Sequence, residues 1–153
     1  LFQSPPVAYR KQVPAFASLT YAVPEWLAGF AWCPGLRVAV PLGRGMLRIG
    51  VVLGDGSPLP EGVTARPMLW PLEKEPLLPS GHLEMVRQLA LRQAVTPGQI
   101  LAMVLPAGLR VTQMRLRTME AQGKAQIRLL KDLPKLPAEV LSALGEAWMQ
   151  GGA

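Results

Sequence analysis

Proline and glycine cut the first half of this chain into apolar runs that suit strands rather than long helices. The chain holds 16 prolines and 15 glycines in 153 residues. Val7–Val13 reads as a first strand and Leu19–Val23 as a second, stopped by Pro24. Leu36–Leu42 follows the turn pair Pro34-Gly35. The strongest strand is Leu47–Leu53, with Gly43-Arg44-Gly45 before it and Gly54-Asp55-Gly56 after it. Met68–Leu72 is the last of the set. Short runs with turn signals between them predict a small curved antiparallel barrel or sandwich. Prolines inside or beside the runs favour edges and bends.

The hydrophobic period then changes. Leu83, Val86, Leu89 and Ala90 repeat at helical spacing, with Ser80 the expected N-cap. Thr96-Pro97-Gly98-Gln99 has a capping-box pattern, with threonine at the cap, proline at the first helical position and glutamine at the third. That helix is expected to run through Met103 and stop before Pro106. Residues 6–106 therefore predict an α+β unit, a barrel closed by two helices. Residues 109–118 look basic and extended, and Gly123 interrupts a helical composition over 119–131. Pro134 and Pro137 bracket a linker. Val140, Leu141, Leu144 and Trp148 mark one face of a last helix. One such helix cannot form a domain alone, so residues 107–153 are expected to begin a second domain cut short at Ala153. Leu1–Pro5 reads as a tag remnant and is left out of the fold prediction.

Charge is unevenly spread. Of a net +6, residues 107–135 contribute seven Lys/Arg against two Asp/Glu, whereas residues 73–106 balance at three each. A basic segment can bind a polyanion by neutralising phosphates and releasing counterions, or can simply be a solvated surface. Arg115 and Arg117, at i and i+2, share one face of a strand; this suits a phosphate-tracking stripe and equally a solvent face. No apolar run approaches the roughly 18 residues of a membrane span. A lone cysteine, Cys33, rules out an internal disulfide and fits a reducing cytoplasm.

Catalytic constellations are missing. No GxxxxGK[ST] loop is present. His82 is the only histidine, which removes most triads and most zinc sites. Cys33 has no histidine close in sequence to activate it, and reads as structural. Glu73 and Glu75, flanking Lys74, read as solvated loop residues. Trp26, Trp32, Trp70 and Trp148 read as core, with Trp32 the first choice if one is exposed. The residues therefore point to a non-catalytic fragment with no cofactor of its own.

Five segments in fixed order carry a resemblance: Tyr21-Ala-Val-Pro24-Glu25, Pro34-Gly35-Leu-Arg-Val-Ala-Val-Pro41-Leu-Gly43-Arg44, Arg48-Ile-Gly50-Val-Val52, Glu75-Pro76-Leu-Leu-Pro79 and Leu105-Pro106-Ala-Gly-Leu109. Together they resemble the N-terminal DNA-binding region of the primosomal replication-restart helicases, the PriA (primosomal protein N′) family. The resemblance implies recognition of the 3′ end of a nascent strand at a stalled fork. The terminal nucleotide is then taken by a pocket of four parts: an aromatic–Asp pair before the motif tyrosine (Tyr21), a glycine and a basic residue. Gly43 matches the glycine and Arg66 the basic residue, with Arg44 and Arg48 as neighbouring bases. Leu19 and Thr20 replace the aromatic–Asp pair. A ring stacking on a base is worth roughly 1–3 kcal/mol, and an ionised Asp accepts stronger hydrogen bonds than a hydroxyl. Weakened 3′-terminus recognition follows, with DNA binding through Arg and Lys retained. Gly43 also has a backbone explanation of equal weight, since a hairpin glycine commonly serves conformation alone.

After Leu109 the resemblance implies the start of a winged-helix domain. For the full-length family it implies an ATP-dependent 3′–5′ helicase with ATP, Mg and Zn, acting in the bacterial cytoplasm at the nucleoid. The partners implied are forked or single-stranded DNA, the helicase core of the same chain, single-strand-binding protein and other primosome proteins. The alternative is a protein-interaction module that docks on those proteins, and salt dependence of DNA binding separates the two.

Overall fold

The computed structural model describes residues 18–43, 46–110, 115–119 and 125–151. The expected strand Val7–Val13, the tag remnant and Arg44 lie outside the described residues. Five strands and three α-helices are present: β1 (Arg37–Leu42), β2 (Met46–Val51), β3 (Trp70–Pro71), α1 (Ser80–Gln93), α2 (Pro97–Val104), β4 (Arg115–Met119), β5 (Ala125–Leu129) and α3 (Ala138–Gln150).

β1 and β2 form an antiparallel hairpin in which Leu42 faces Met46, Val40 faces Arg48 and Arg37 faces Val51. β3 lies on the other side of β1, also antiparallel, so the sheet order is β2-β1-β3. Among the described residues this sheet is open. β3 is short because Pro67 and Pro71 have no amide to donate; the Leu69 and Leu72 amides donate to the Ala39 and Arg37 carbonyls beside it. Residues 19–23, expected as a strand, make one parallel bridge, Ala22 with Pro67. Pro24 then turns the chain into a 3-10 turn at Glu25–Leu27.

The two faces of the sheet bury different clusters, as alternation along a strand requires. Val38 and Val40 pack with Leu36, Val52 and Met68 on one face. Ala39 joins Leu27, Leu69 and Trp70 on the other. Helices α1 and α2 bring Leu83, Val86, Ala90, Ile100, Leu101 and Leu105 together with Val51. The α2 capping box forms as expected: the Gln99 amide donates to Thr96 Oγ1, and the Thr96 amide donates to Gln99 Oε1 at 2.9 Å. Ser80 does not cap α1. It is the first helical residue, and the N-cap is Pro79, with no side-chain bond.

Residues 130–150, expected to begin a second unit, return to the sheet of the first. Leu133 of the 3-10 turn Leu130–Lys135 and Leu141 of α3 lie in the same buried cluster as Leu27, Ala39 and Trp70. Each buried leucine contributes about 1.5–3 kcal/mol. α3 approaches the Glu25–Leu27 turn so closely that a Cβ on Gly145 would collide with the Trp26 carbonyl oxygen. Trp148 of α3 meets Trp70 edge-on, ring centroids 6.1 Å apart. The last helix thus has an apolar surface to cover, which its own sequence does not reveal. The β4–β5 hairpin forms a separate two-stranded sheet.

One ion pair ties these parts together. Glu73 was expected to be solvated, but its carboxylate accepts from the Arg37 amide (2.8 Å), from Nε (3.0 Å to Oε2) and from Nη2 (2.8 Å). Arg37 Nη1 donates onward to the Leu109 carbonyl at 2.9 Å. Arg37 is 9% exposed, and so dense a set of partners is what a buried guanidinium needs.

Candidate nucleic-acid interface

The loop-end of the β1–β2 hairpin carries the basic site. Gly43 leaves β1 at φ +61°, a left-handed conformation that favours glycine. An added Cβ there would meet only the Met46 side chain at 3.9 Å. Its conformational role is therefore visible in the structure. The exposed Arg66 side chain reaches this turn, and its Nη1 donates to the Gly43 carbonyl at 2.7 Å. Backbone pairing holds Arg66 in place: the Ala22 amide donates to the Arg66 carbonyl, and the Met68 amide to the Ala22 carbonyl, both at 2.9 Å.

Tyr21 completes the cluster. Its hydroxyl donates to the Pro41 carbonyl at 2.8 Å, two residues before Gly43. Burial pushes the Tyr21 hydroxyl above its ordinary pKa, and the nearby Arg66 charge opposes that shift. Arg48 is exposed on the edge strand β2 opposite Val40. Cross-strand partners point to one face, so Arg48 shares the face on which Tyr21 packs against Val38 and Val40.

The structure thus brings together Tyr21, Gly43 and Arg66, with Arg48 on the same sheet face. Leu19 and Thr20 line a different feature, a cleft of about 280 Å³ with the loop 53–57, Arg87 of α1 and Pro97 of α2. Thr20 packs so close to Gly56 that a Cβ there would lie 2.8 Å from its Cγ2 methyl. Arg115 and Arg117 sit on one face of β4 by their backbone register, opposite Leu129 and Ile127; their side chains lie outside the described part of the structure.

Asp55 and Arg87 were not singled out by sequence reasoning. Asp55 read only as a turn residue, and Arg87 as one helical charge among several; only the folded chain sets them on one cleft. Trp32 is no exposed platform. It packs edge-on against Phe30, centroids 4.8 Å apart, and all four indole nitrogens are buried. His82 is exposed on α1. Among the described residues no three His, Cys, Asp or Glu side chains gather as a metal site, and no helix is long and apolar enough to cross a membrane.

A family model of the PriA 3′ DNA-binding domain (3′BD) matches residues 11–106. None of the curated proteins compared with the chain matches it. The matched span covers the three-stranded sheet, α1 and α2, and contains Leu19, Thr20, Tyr21, Gly43, Arg48 and Arg66. The chain therefore belongs to the PriA 3′ DNA-binding domain family, a family that binds DNA in replication restart.

Proposed function

We propose that this chain recognises forked or single-stranded DNA through the hairpin end of its sheet, and that it grips a free 3′ terminus weakly. The observation that carries this is the Arg66–Gly43 contact: a guanidinium held by a single main-chain bond on an exposed glycine turn, beside Tyr21. Arg offers five donors in a rigid fork, so most remain for a phosphate. Arg48 extends the positive face, and Arg115 and Arg117 continue it on the β4–β5 hairpin if that hairpin serves as the wing of a winged-helix domain. Closure of the sheet into a barrel by residues before 18 belongs to the same proposal. Leu19 provides apolar contact without ring stacking, and Thr20 a neutral acceptor, which together weaken the hold on a strand end.

Equilibrium binding to a fork, a single strand and a plain duplex of equal length tests this. Tightest binding to the fork or single strand supports the proposal; equal affinity for plain duplex refutes it. ATP, Mg and Zn fit no residues here, since the chain has one cysteine, one histidine and no GxxxxGK[ST] loop. Helicase chemistry is proposed only for the remainder of a full-length protein. A second role, docking on the helicase core, single-strand-binding protein or another primosome protein, is favoured by exposed apolar side chains on the two helices: Met85 and Leu91 on α1, Met103 and Val104 on α2.

A further inference from the structure

The cleft beside Leu19 and Thr20 combines chemistry that the basic hairpin end lacks. Its lining includes one carboxylate, Asp55, one guanidinium, Arg87, and the hydroxyls of Thr20 and Ser57, with Leu19 and Pro97 as apolar wall. At about 280 Å³ it sits at the small end of ligand clefts, which run from roughly 300 to 1,000 Å³. That is room for one nucleotide and too little for a duplex. The Arg87 guanidinium is anchored from within, Nη2 donating to the Leu53 carbonyl at 2.8 Å. Its Nη1 lies 3.9 Å from the Glu84 carboxylate, beyond hydrogen-bond length, and its side chain is 45% exposed. Asp55 is exposed at the cleft and forms no ion pair among the described residues. Consecutive residues join this cleft to the basic end: Thr20 lines it, and Tyr21 bonds to Pro41 beside Gly43.

An internal nucleotide has a phosphate on both sides of its sugar. Seated here, it sets one phosphate near Arg87 and the other near the Asp55 carboxylate, which repels it. A terminal nucleotide with a free hydroxyl has one phosphate only. Its hydroxyl donates to the carboxylate, a charge-assisted hydrogen bond, while its phosphate meets the guanidinium. We infer that Asp55 is the residue by which this chain distinguishes a hydroxyl-ended strand from a phosphate-ended one, with Arg87 holding the adjoining phosphate. The inference rests on the DNA-binding proposal above and deepens it: whatever hold on a strand end survives the leucine and threonine at positions 19 and 20 is supplied by the loop after β2.

The test uses two single-stranded oligonucleotides of one sequence, one ending in a 3′-hydroxyl and one in a 3′-phosphate. Both are titrated against the full chain and its D55N and R87Q variants by fluorescence anisotropy. The native chain is expected to favour the hydroxyl end severalfold, up to about tenfold for one hydrogen bond to a charged acceptor. D55N brings the two affinities together, chiefly by tightening the phosphate-ended strand. R87Q weakens both. A native chain without preference, or a D55N variant that keeps it, overturns the role of Asp55 while leaving the DNA-binding proposal standing. If neither oligonucleotide binds at low salt, both fall. Circular dichroism of the variants confirms that each exposed substitution leaves the fold intact.

Discussion

Removing the Glu73 carboxylate is expected to destabilise the chain by about 3–5 kcal/mol, the range for leaving one buried charge unpaired. The structure explains the size. Glu73 accepts from the Arg37 amide, Nε and Nη2, and the pair's side chains are 10% and 20% exposed, so water cannot replace it fully. In Glu73→Ala the guanidinium keeps only its bond to the Leu109 carbonyl. With a urea slope of about 1–3 kcal/mol/M for a small protein, the unfolding midpoint drops by more than about 1 M. The double variant Arg37→Met/Glu73→Leu removes both charges and the penalty of the orphan, so it should lose clearly less than the two single variants together. Urea denaturation of the four proteins, followed by tryptophan fluorescence, measures this cycle. A Glu73→Ala loss under about 1 kcal/mol, or strict additivity in the cycle, would refute the view that a desolvated pair locks β1 to the 107–110 turn.

Three further outcomes are expected. Gly145→Ala should lower the melting temperature despite alanine's better helix propensity, about 1 kcal/mol over glycine, because the new methyl collides with the Trp26 carbonyl; a rise in melting temperature would mean that α3 docks more loosely. Thr96→Ala removes the α2 cap and should cost about 1 kcal/mol in the same urea assay, with Thr96→Ser near neutral. Tyr21, in a Tyr9→Phe background, should ionise above pH 10 because burial disfavours its phenolate, and Arg66→Gln should raise that midpoint further by removing the opposing charge. The sign for stability follows: a raised folded pKa gives a contribution fully present below the unfolded value and lost as pH rises through the folded one. Ultraviolet titration and alkaline denaturation read both effects, and an unchanged midpoint in Arg66→Gln would separate Tyr21 from Arg66.

What could be read from the chain was what is local. The Thr96–Gln99 capping box forms because every group in it lies within four residues. The β1–β2 hairpin follows from its apolar runs and the left-handed Gly43. Residues 19–23 misled because alternating apolar residues suit a strand, whereas Pro24 and a proline-rich partner at Pro67 allow one bridge only. Nothing local marks the Arg37–Glu73 pair, whose members are 36 residues apart, so Glu73 looked like any loop acid. The last helix looked partnerless for the same reason: its partner, the Leu27–Trp70 cluster, is more than sixty residues upstream. In the site, Gly43 and Arg66 were paired in advance only through family resemblance. Asp55 and Arg87 carry no motif at all, and they matter only because the fold sets the turn after β2 against α1.

The salt dependence of single-strand binding tests most directly whether the hairpin end neutralises phosphates. Affinity measured between about 50 and 200 mM salt should fall log-linearly, with a slope of about −0.7 for each phosphate engaged, and Arg66→Gln should make that slope shallower by about 0.7. No binding at the lowest salt, or a slope that Arg66→Gln leaves untouched, would contradict a DNA strand lying against Gly43 and Arg66.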